Sequence, residues 1–121
     1  LIQENQDKEY ALGIIPHHSN FEKFQKSMTL KDGAILIDVR SKNTIDVLEN
    51  IGKCKIIISE SLHGLIAADS MSIPNVWLRN GPLHKGDDFK FLDYFSSIGR
   101  NPNDFLRLQD FNNKKIIIHS L

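Results

Sequence analysis

Ile56-Ile57-Ile58-Ser59-Glu60-Ser61-Leu62-His63-Gly64-Leu65 is the stretch whose reading decides the fold. Three consecutive β-branched residues favour a short, fully buried strand. The serines that follow are helix N-cap types, and the amphipathic segment Leu65 to Asp69 comes directly after them. The passage therefore reads as a strand turning into a helix, with Ser59, Ser61 and His63 at the junction. The first N–H groups of a helix lack partners within it, and the dipole adds about half a positive charge there. A phosphate or carboxylate suits such a place.

Working outward, further apolar runs lie at Leu12 to Ile15, Ala34 to Ile37 and Val76 to Leu78. Their spacing of roughly 20 residues is that of βα units, and their lack of polar alternation predicts parallel strands covered on both faces. Helical spacing connects them: Phe21, Phe24 and Met28; Ile45, Leu48 and Ile51; Leu62, Leu65 and Ile66. Ser19 or Asn20, Ser41 or Asn43, and Ser59 or Ser61 are the candidate N-caps, and Gly33 and Gly52 fall where helices end. Arg79 to Asp88, with Gly81, Pro82 and Gly86, reads as an exposed loop, and Phe89 to Ile98 as a helix on the sheet. Beyond the break at Asn101-Pro102-Asn103, a short helix is expected over Phe105 to Phe111, and Lys114 to Leu121 reads as a terminal strand or a helix, its three isoleucines favouring strand.

At 121 residues, 40% hydrophobic and 25% charged, the chain reads as one globular α/β domain spanning 1–121. Fifteen basic residues balance fifteen acidic ones, so no global charge draws it to nucleic acid. Its single cysteine, Cys54, closes no internal disulfide and reads as a structural thiol. No apolar run reaches the ~20 residues of a transmembrane helix, and a soluble chain is expected. It begins at Leu1 rather than Met, with only a polar lead-in before the first strand, and so reads as a piece of a longer protein.

In an open parallel sheet, ligands gather outside the carboxyl ends of the strands. That rule selects His17 and His18 after the first strand, Arg40 and Ser41 after the second, Ser59, Ser61 and His63 after the third, and Arg79 and Asn80 after the fourth. Every strand thus ends in groups that bind an anion or move a proton. Each also has a plainer reading. Ser59 and Ser61 serve as caps, since no Gly-x-Ser-x-Gly elbow surrounds them. Arg40 pairs with Asp38 or with a helix carboxylate at the surface, Lys90 forms a solvated pair with Asp93, and Trp77 and the phenylalanines of Phe89 to Phe95 belong to the core. Adjacent His17 and His18 cannot both face one metal from a regular strand, so no metal site is expected.

Gly13-Ile14-Ile15-Pro16-His17, Ser59 through Asp69, Ile73-Pro74-Asn75-Val76-Trp77 and Phe89-Lys90-Phe91-Leu92-Asp93-Tyr94-Phe95, in this order and spacing, resemble polysaccharide pyruvyl transferases. The resemblance runs from about Leu12 to Arg100 and corresponds to the C-terminal part of a family member. It implies a Rossmann-like parallel sheet with helices on both faces, as in the C-terminal lobe of a two-lobed GT-B-like fold, with the N-terminal lobe of the same protein completing the cleft. It further implies transfer of the pyruvyl group of phosphoenolpyruvate to a saccharide or lipid-linked saccharide in exopolysaccharide or cell-wall glycan synthesis. On that basis phosphoenolpyruvate is the donor substrate, no separate cofactor is needed, and the setting is cytoplasmic, either free or at the inner face of the membrane.

By the same resemblance, Ser61, Leu62 and His63 match positions that contact phosphoenolpyruvate, with His63 in the place of the general acid. Many relatives carry arginine where this sequence has Ser61. Ser59 and Gly64 complete the proposed anion-holding turn, with His17, Arg40, Arg79 and Lys90 as further donor-binding candidates. Two other readings compete: the C-terminal lobe of a nucleotide-sugar glycosyltransferase, and a catalytically silent binding fragment. The sequence shows no clear Glu after the fourth strand for a nucleotide ribose.

Overall fold

The computed structural model describes residues 8–27, 33–79 and 85–107. Its centre is a five-stranded sheet in the order β2-β1-β3-β4-β5, with every neighbouring pair parallel. The strands are β1 (Leu12–Ile15), β2 (Ala34–Leu36), β3 (Ile57–Ser59), β4 (Asn75–Arg79) and β5 (Phe105–Arg107). Helices α1 (Phe21–Ser27), α2 (Thr44–Gly52), α3 (Leu62–Ser70) and α4 (Lys85–Ser97) connect them in turn.

Successive strand residues point to opposite faces, so the adjacent isoleucines of β1 serve two cores. Ile14, with Ile58 and Leu78, packs against Phe24 of α1. Ile15, with Ile57, packs against Ile51 of α2 and Ala68 of α3. A third cluster joins Leu65 of α3, Trp77 of β4 and Phe95 of α4. Helices therefore cover both faces, which is why the strands carry no polar alternation.

The predicted caps are partly resolved into particular residues. Asn43 caps α2 by accepting the Asp46 N–H, and Ser61 caps α3 by accepting that of Gly64. Gly33 stands at φ +89°, a conformation that glycine adopts without a Cβ clash. Cys54 is fully buried, its thiol pushed up to about 11 by burial, and its Sγ donates to the Asn50 carbonyl. That is the structural thiol expected. The α3–α4 end of the domain is tied by polar groups: Tyr94 and Asn75 both donate to the Asp69 carboxylate, and Arg100 donates to the Asn75 side chain and carbonyl.

Several expectations are corrected. Phe105–Arg107 is a strand rather than the start of a helix, because it pairs with β4 in the register Trp77↔Phe105 and its ring packs against Trp77. Residues 108–111 and the expected strand at 114–121 lie outside the described residues, as does Met28. The proposed loop from Arg79 to Asp88 is shorter at both ends, since β4 includes Arg79 and α4 begins at Lys85. Ile45 and Phe89, taken as inward-facing, are 68% and 65% exposed. Among the described residues Lys90 and Asp93 form no ion pair.

The C-terminus of α3 carries a Schellman turn: Ile73 N–H donates to the Ala68 carbonyl, and Ser72 N–H to that of Asp69. Ser72 sits at φ 58°, the left-handed position that glycine usually takes there. Left-handed backbone costs a residue with a Cβ about 1–2 kcal/mol, partly offset by the extra chain entropy that glycine loses. Ser72→Gly is expected to stabilise the domain by about 0.5–1 kcal/mol, seen as a rise in Tm of a few degrees by thermal unfolding.

Candidate functional site

Strand order in this sheet reverses direction between β1 and β3: the chain leaves β1 toward β2 on one side and returns to β3 on the other. Loops after these two neighbouring strands diverge to opposite faces and open a crevice at their carboxyl ends. A cavity of about 590 Å³ lies there. His17 to Asn20 line it from the β1 side, and Glu60 to His63 from the β3 side. Val39 and Arg40 come from the end of β2, Leu78 and Arg79 from β4, and Asp88, Lys90 and Phe91 from α4.

The turn from β3 into α3 is locked by its own serines. Ser59 Oγ accepts the Ser61 N–H at 2.9 Å and donates to the Ser61 carbonyl at 2.8 Å. Ser61 Oγ then accepts the Gly64 N–H at 3.4 Å. Leu62 and His63 are the first two residues of α3, so their N–H groups have no acceptor within the helix. Gly64 lets α3 approach the sheet this closely: a Cβ there would stand 2.5 Å from Ser59 Oγ and 2.8 Å from Ile15 Cδ1. Ser59 and Gly64 are thus buried beneath the turn, and neither lines the cavity. His17, Arg40, Ser61, Leu62, His63, Arg79 and Lys90 do line it.

Charges around the cavity are unevenly available. Arg40 makes a two-pronged contact with Asp38, at 3.0 and 3.1 Å, and this hydrogen bonding holds the Asp38 carboxyl below its ordinary range. Arg79 is 3.4 Å from Asp88 and lies over the rings of Trp77 and Phe105. Lys90 is exposed and, among the described residues, makes no ion pair. His63 is exposed, and its ring has no hydrogen-bond partner among the described residues. Trp77 is buried and stacks on Phe91 at 4.5 Å, so the aromatic wall of the cavity extends from the core.

Sequence reasoning passed over Glu60. The residue is 7% exposed, its Oε1 accepts the His17 N–H at 3.1 Å, and its carboxylate accepts from the Asn20 side chain at 3.2 Å. The available signal was its chemistry: an acidic residue directly after a buried strand and between two serines needs hydrogen-bond donors. Burial pushes its carboxyl above the ordinary glutamate value, and the His17 and Asn20 donors partly offset that.

The sign of the pH effect follows. With a folded-state pKa above the unfolded one, the unfolded chain releases this proton first as pH rises, so the linked stability falls across the interval between the two values. Glu60→Gln does not titrate. Urea unfolding at a series of pH values should show the wild type losing stability relative to Glu60→Gln as pH rises from the ordinary glutamate range, and a pH-independent difference would contradict the shift.

The family model for "Polysaccharide pyruvyl transferase" matches residues 3–82. The chain is 37% identical over 93 residues to "Uncharacterized protein L143" of Acanthamoeba polyphaga mimivirus, covering 74% of this chain and 32% of that protein. It is 30% identical over 93 residues to "Succinoglycan biosynthesis protein ExoV" of Rhizobium meliloti (strain 1021), covering 76% of this chain and 28% of that protein. The chain thus spans about a third or less of the length of these relatives. No solved structure matches it significantly. With the family model covering most of its length, including the β1 and β3 turns that frame the cavity, the chain belongs to the polysaccharide pyruvyl transferase family.

Proposed function

We propose that this chain carries the donor-binding part of a transferase that moves the pyruvyl group of phosphoenolpyruvate onto a saccharide in polysaccharide biosynthesis. The observation that carries the reading is the placement of His63 and the unpaired start of α3 in one cavity with Lys90, Arg40 and Arg79. Family membership and the succinoglycan relative support the polysaccharide context.

Phosphoenolpyruvate brings a phosphate and a carboxylate, which call for N–H donors and cations rather than an apolar pocket. In this reading the Leu62 and His63 N–H groups and the Ser61 hydroxyl receive one anionic group, and Lys90 faces the other. Arg40 and Arg79 contribute by exchanging an aspartate contact for the ligand. His63, as imidazolium, protonates the methylene carbon of the enol, leaving an oxocarbenium-like carbon. A saccharide hydroxyl attacks that carbon and returns a proton to the His63 imidazole. Phosphate then leaves with its bonding pair, and a second hydroxyl closes the ketal, its proton passing to the departing phosphate. In this reading the acceptor side and the second lobe of a GT-B-like cleft correspond to the part of the relatives that this chain does not span.

A soluble cytoplasmic setting fits a phosphoenolpyruvate donor, and among the described residues no helix is long and apolar enough to cross a membrane.

The test is turnover in the protein with phosphoenolpyruvate and a saccharide acceptor, read as phosphate release. His63→Ala is expected to lower kcat by at least ~100-fold, as for loss of a general acid, while Tm stays within a degree or two because the ring is exposed. Unchanged turnover would remove His63 from the mechanism. Isothermal titration separates the classes: tighter binding of phosphoenolpyruvate than of uridine diphosphate is expected, the reverse preference would favour a glycosyltransferase, and binding of neither a silent fragment.

A further inference from the structure

We infer that Glu60 is a positioning residue: its buried carboxylate clamps the loop after β1 to the turn after β3, and so holds the His17 ring with Nδ1 tied to Ser19 and Nε2 left to meet a ligand in the cavity. The clamp is visible in backbone and side chain together. Glu60 N–H donates to the Ile15 carbonyl at 2.8 Å, extending the β1–β3 pairing past Ser59. Its side chain then turns back across the crevice to accept the His17 N–H and the Asn20 amide. These contacts join residues 40 or more positions apart in sequence, at the one place where the sheet would otherwise let the loops diverge.

Burying a carboxylate is costly, and an apolar side chain of similar volume fills a core without that cost. What a carboxylate adds here is acceptors aimed at two donors of the opposite loop. The segment it anchors begins with His17, whose ring is itself constrained. Nδ1 accepts the Ser19 N–H at 3.2 Å and lies 2.7 Å from Ser19 Oγ. A ring nitrogen that accepts a backbone N–H carries no proton, so the proton resides on Nε2. Protonating Nδ1 would break the turn that starts at His17. The His17 ring is therefore tied through Nδ1 to Ser19, which leaves Nε2 to meet a ligand, whereas the ring of His63 has no such tie among the described residues. The two histidines of the cavity divide the work: one donates a hydrogen bond, the other exchanges a proton.

The ligand part of this inference rests on the donor-site reading above, and the clamp itself does not. The test uses the protein with ¹⁵N-labelled histidine. In the wild type, long-range ¹H–¹⁵N spectra should show His17 as the single Nε2–H tautomer at neutral pH, with a protected His17 amide. In Glu60→Leu, which keeps the volume and removes the acceptors, tautomer selection should be lost and exchange of the His17 amide should rise roughly tenfold or more, as for a lost charged acceptor. Glu60→Gln should restore both signals, because its carbonyl can accept from His17 while the Asn20 amide rotates to meet its NH₂. Circular dichroism and Tm confirm that each variant is folded.

Retention of the single tautomer and of amide protection in folded Glu60→Leu overturns the clamp. Failure of both Glu60→Leu and Glu60→Ala to fold also overturns it, since the carboxylate would then be a requirement of the fold. Titration with phosphoenolpyruvate and with inorganic phosphate reads the ligand role: affinity for phosphoenolpyruvate should fall about tenfold in Glu60→Leu and recover in Glu60→Gln. Equal affinity in Glu60→Leu and wild type overturns the donor role of His17. Absence of binding by the wild type instead overturns the donor-site reading and leaves the tautomer result standing.

Discussion

The parallel pairing of β1 with β3 is the constraint on which the rest of this structure depends. Its register sets Ile14 beside Ile58 and Ile15 beside Ser59, so one strand pair feeds the cores on both faces of the sheet. Because β2 lies on the far side of β1, the chain leaves β1 in one direction and β3 in the other. A crevice must open between those exits. Every group proposed to handle the ligand stands at its rim because of that topology, rather than because of proximity in sequence.

Closing such a crevice from below calls for polar groups whose partners are already fixed. Ser59 satisfies its hydroxyl entirely within the turn, through the Ser61 N–H and carbonyl, and Gly64 permits the helix to rest on it. Glu60 spans the gap. A buried carboxylate that accepts donors from an opposing loop gives orientation at some cost in stability, a balance common where geometry matters more than folding free energy. At the opposite end of the strands, the Asp69, Tyr94, Asn75 and Arg100 network also joins elements distant in sequence. There the groups neutralise and satisfy one another, and the arrangement reads as structural.

The cations of the cavity illustrate how environment changes the meaning of a residue. Arg40 and Arg79 look alike in sequence, each following a strand. In the fold, Arg40 is held by Asp38 at an exposed site, while Arg79 is sandwiched against Trp77 and Phe105 and faces Asp88. Both reach the cavity already paired. Lys90 reaches it from α4 with no ion pair among the described residues, the cation of the three that holds no such contact.

Four of the five strands, the helices between them and the caps at Asn43 and Ser61 were legible in the sequence, because they follow from local hydrophobic period and side-chain chemistry. β5 was not: Phe105-Leu106-Arg107 is too short to show a period, and it becomes a strand only by pairing with β4. Likewise the sequence selected His17, Arg40, Ser61, His63 and Arg79 through the rule that ligands meet strand ends, yet it could not rank them. Ser59 has the same chemistry as Ser61, and only packing beneath Gly64 removes it from the cavity. Glu60 shows locally only an acidic residue after a buried strand, and the donors it needs lie 40 and more residues away. By itself the sequence determined which elements form and which chemistry stands at their ends, both being short-range properties. Which of those groups face one another was decided by the tertiary structure alone, because strand order and loop approach depend on contacts between residues far apart in the chain.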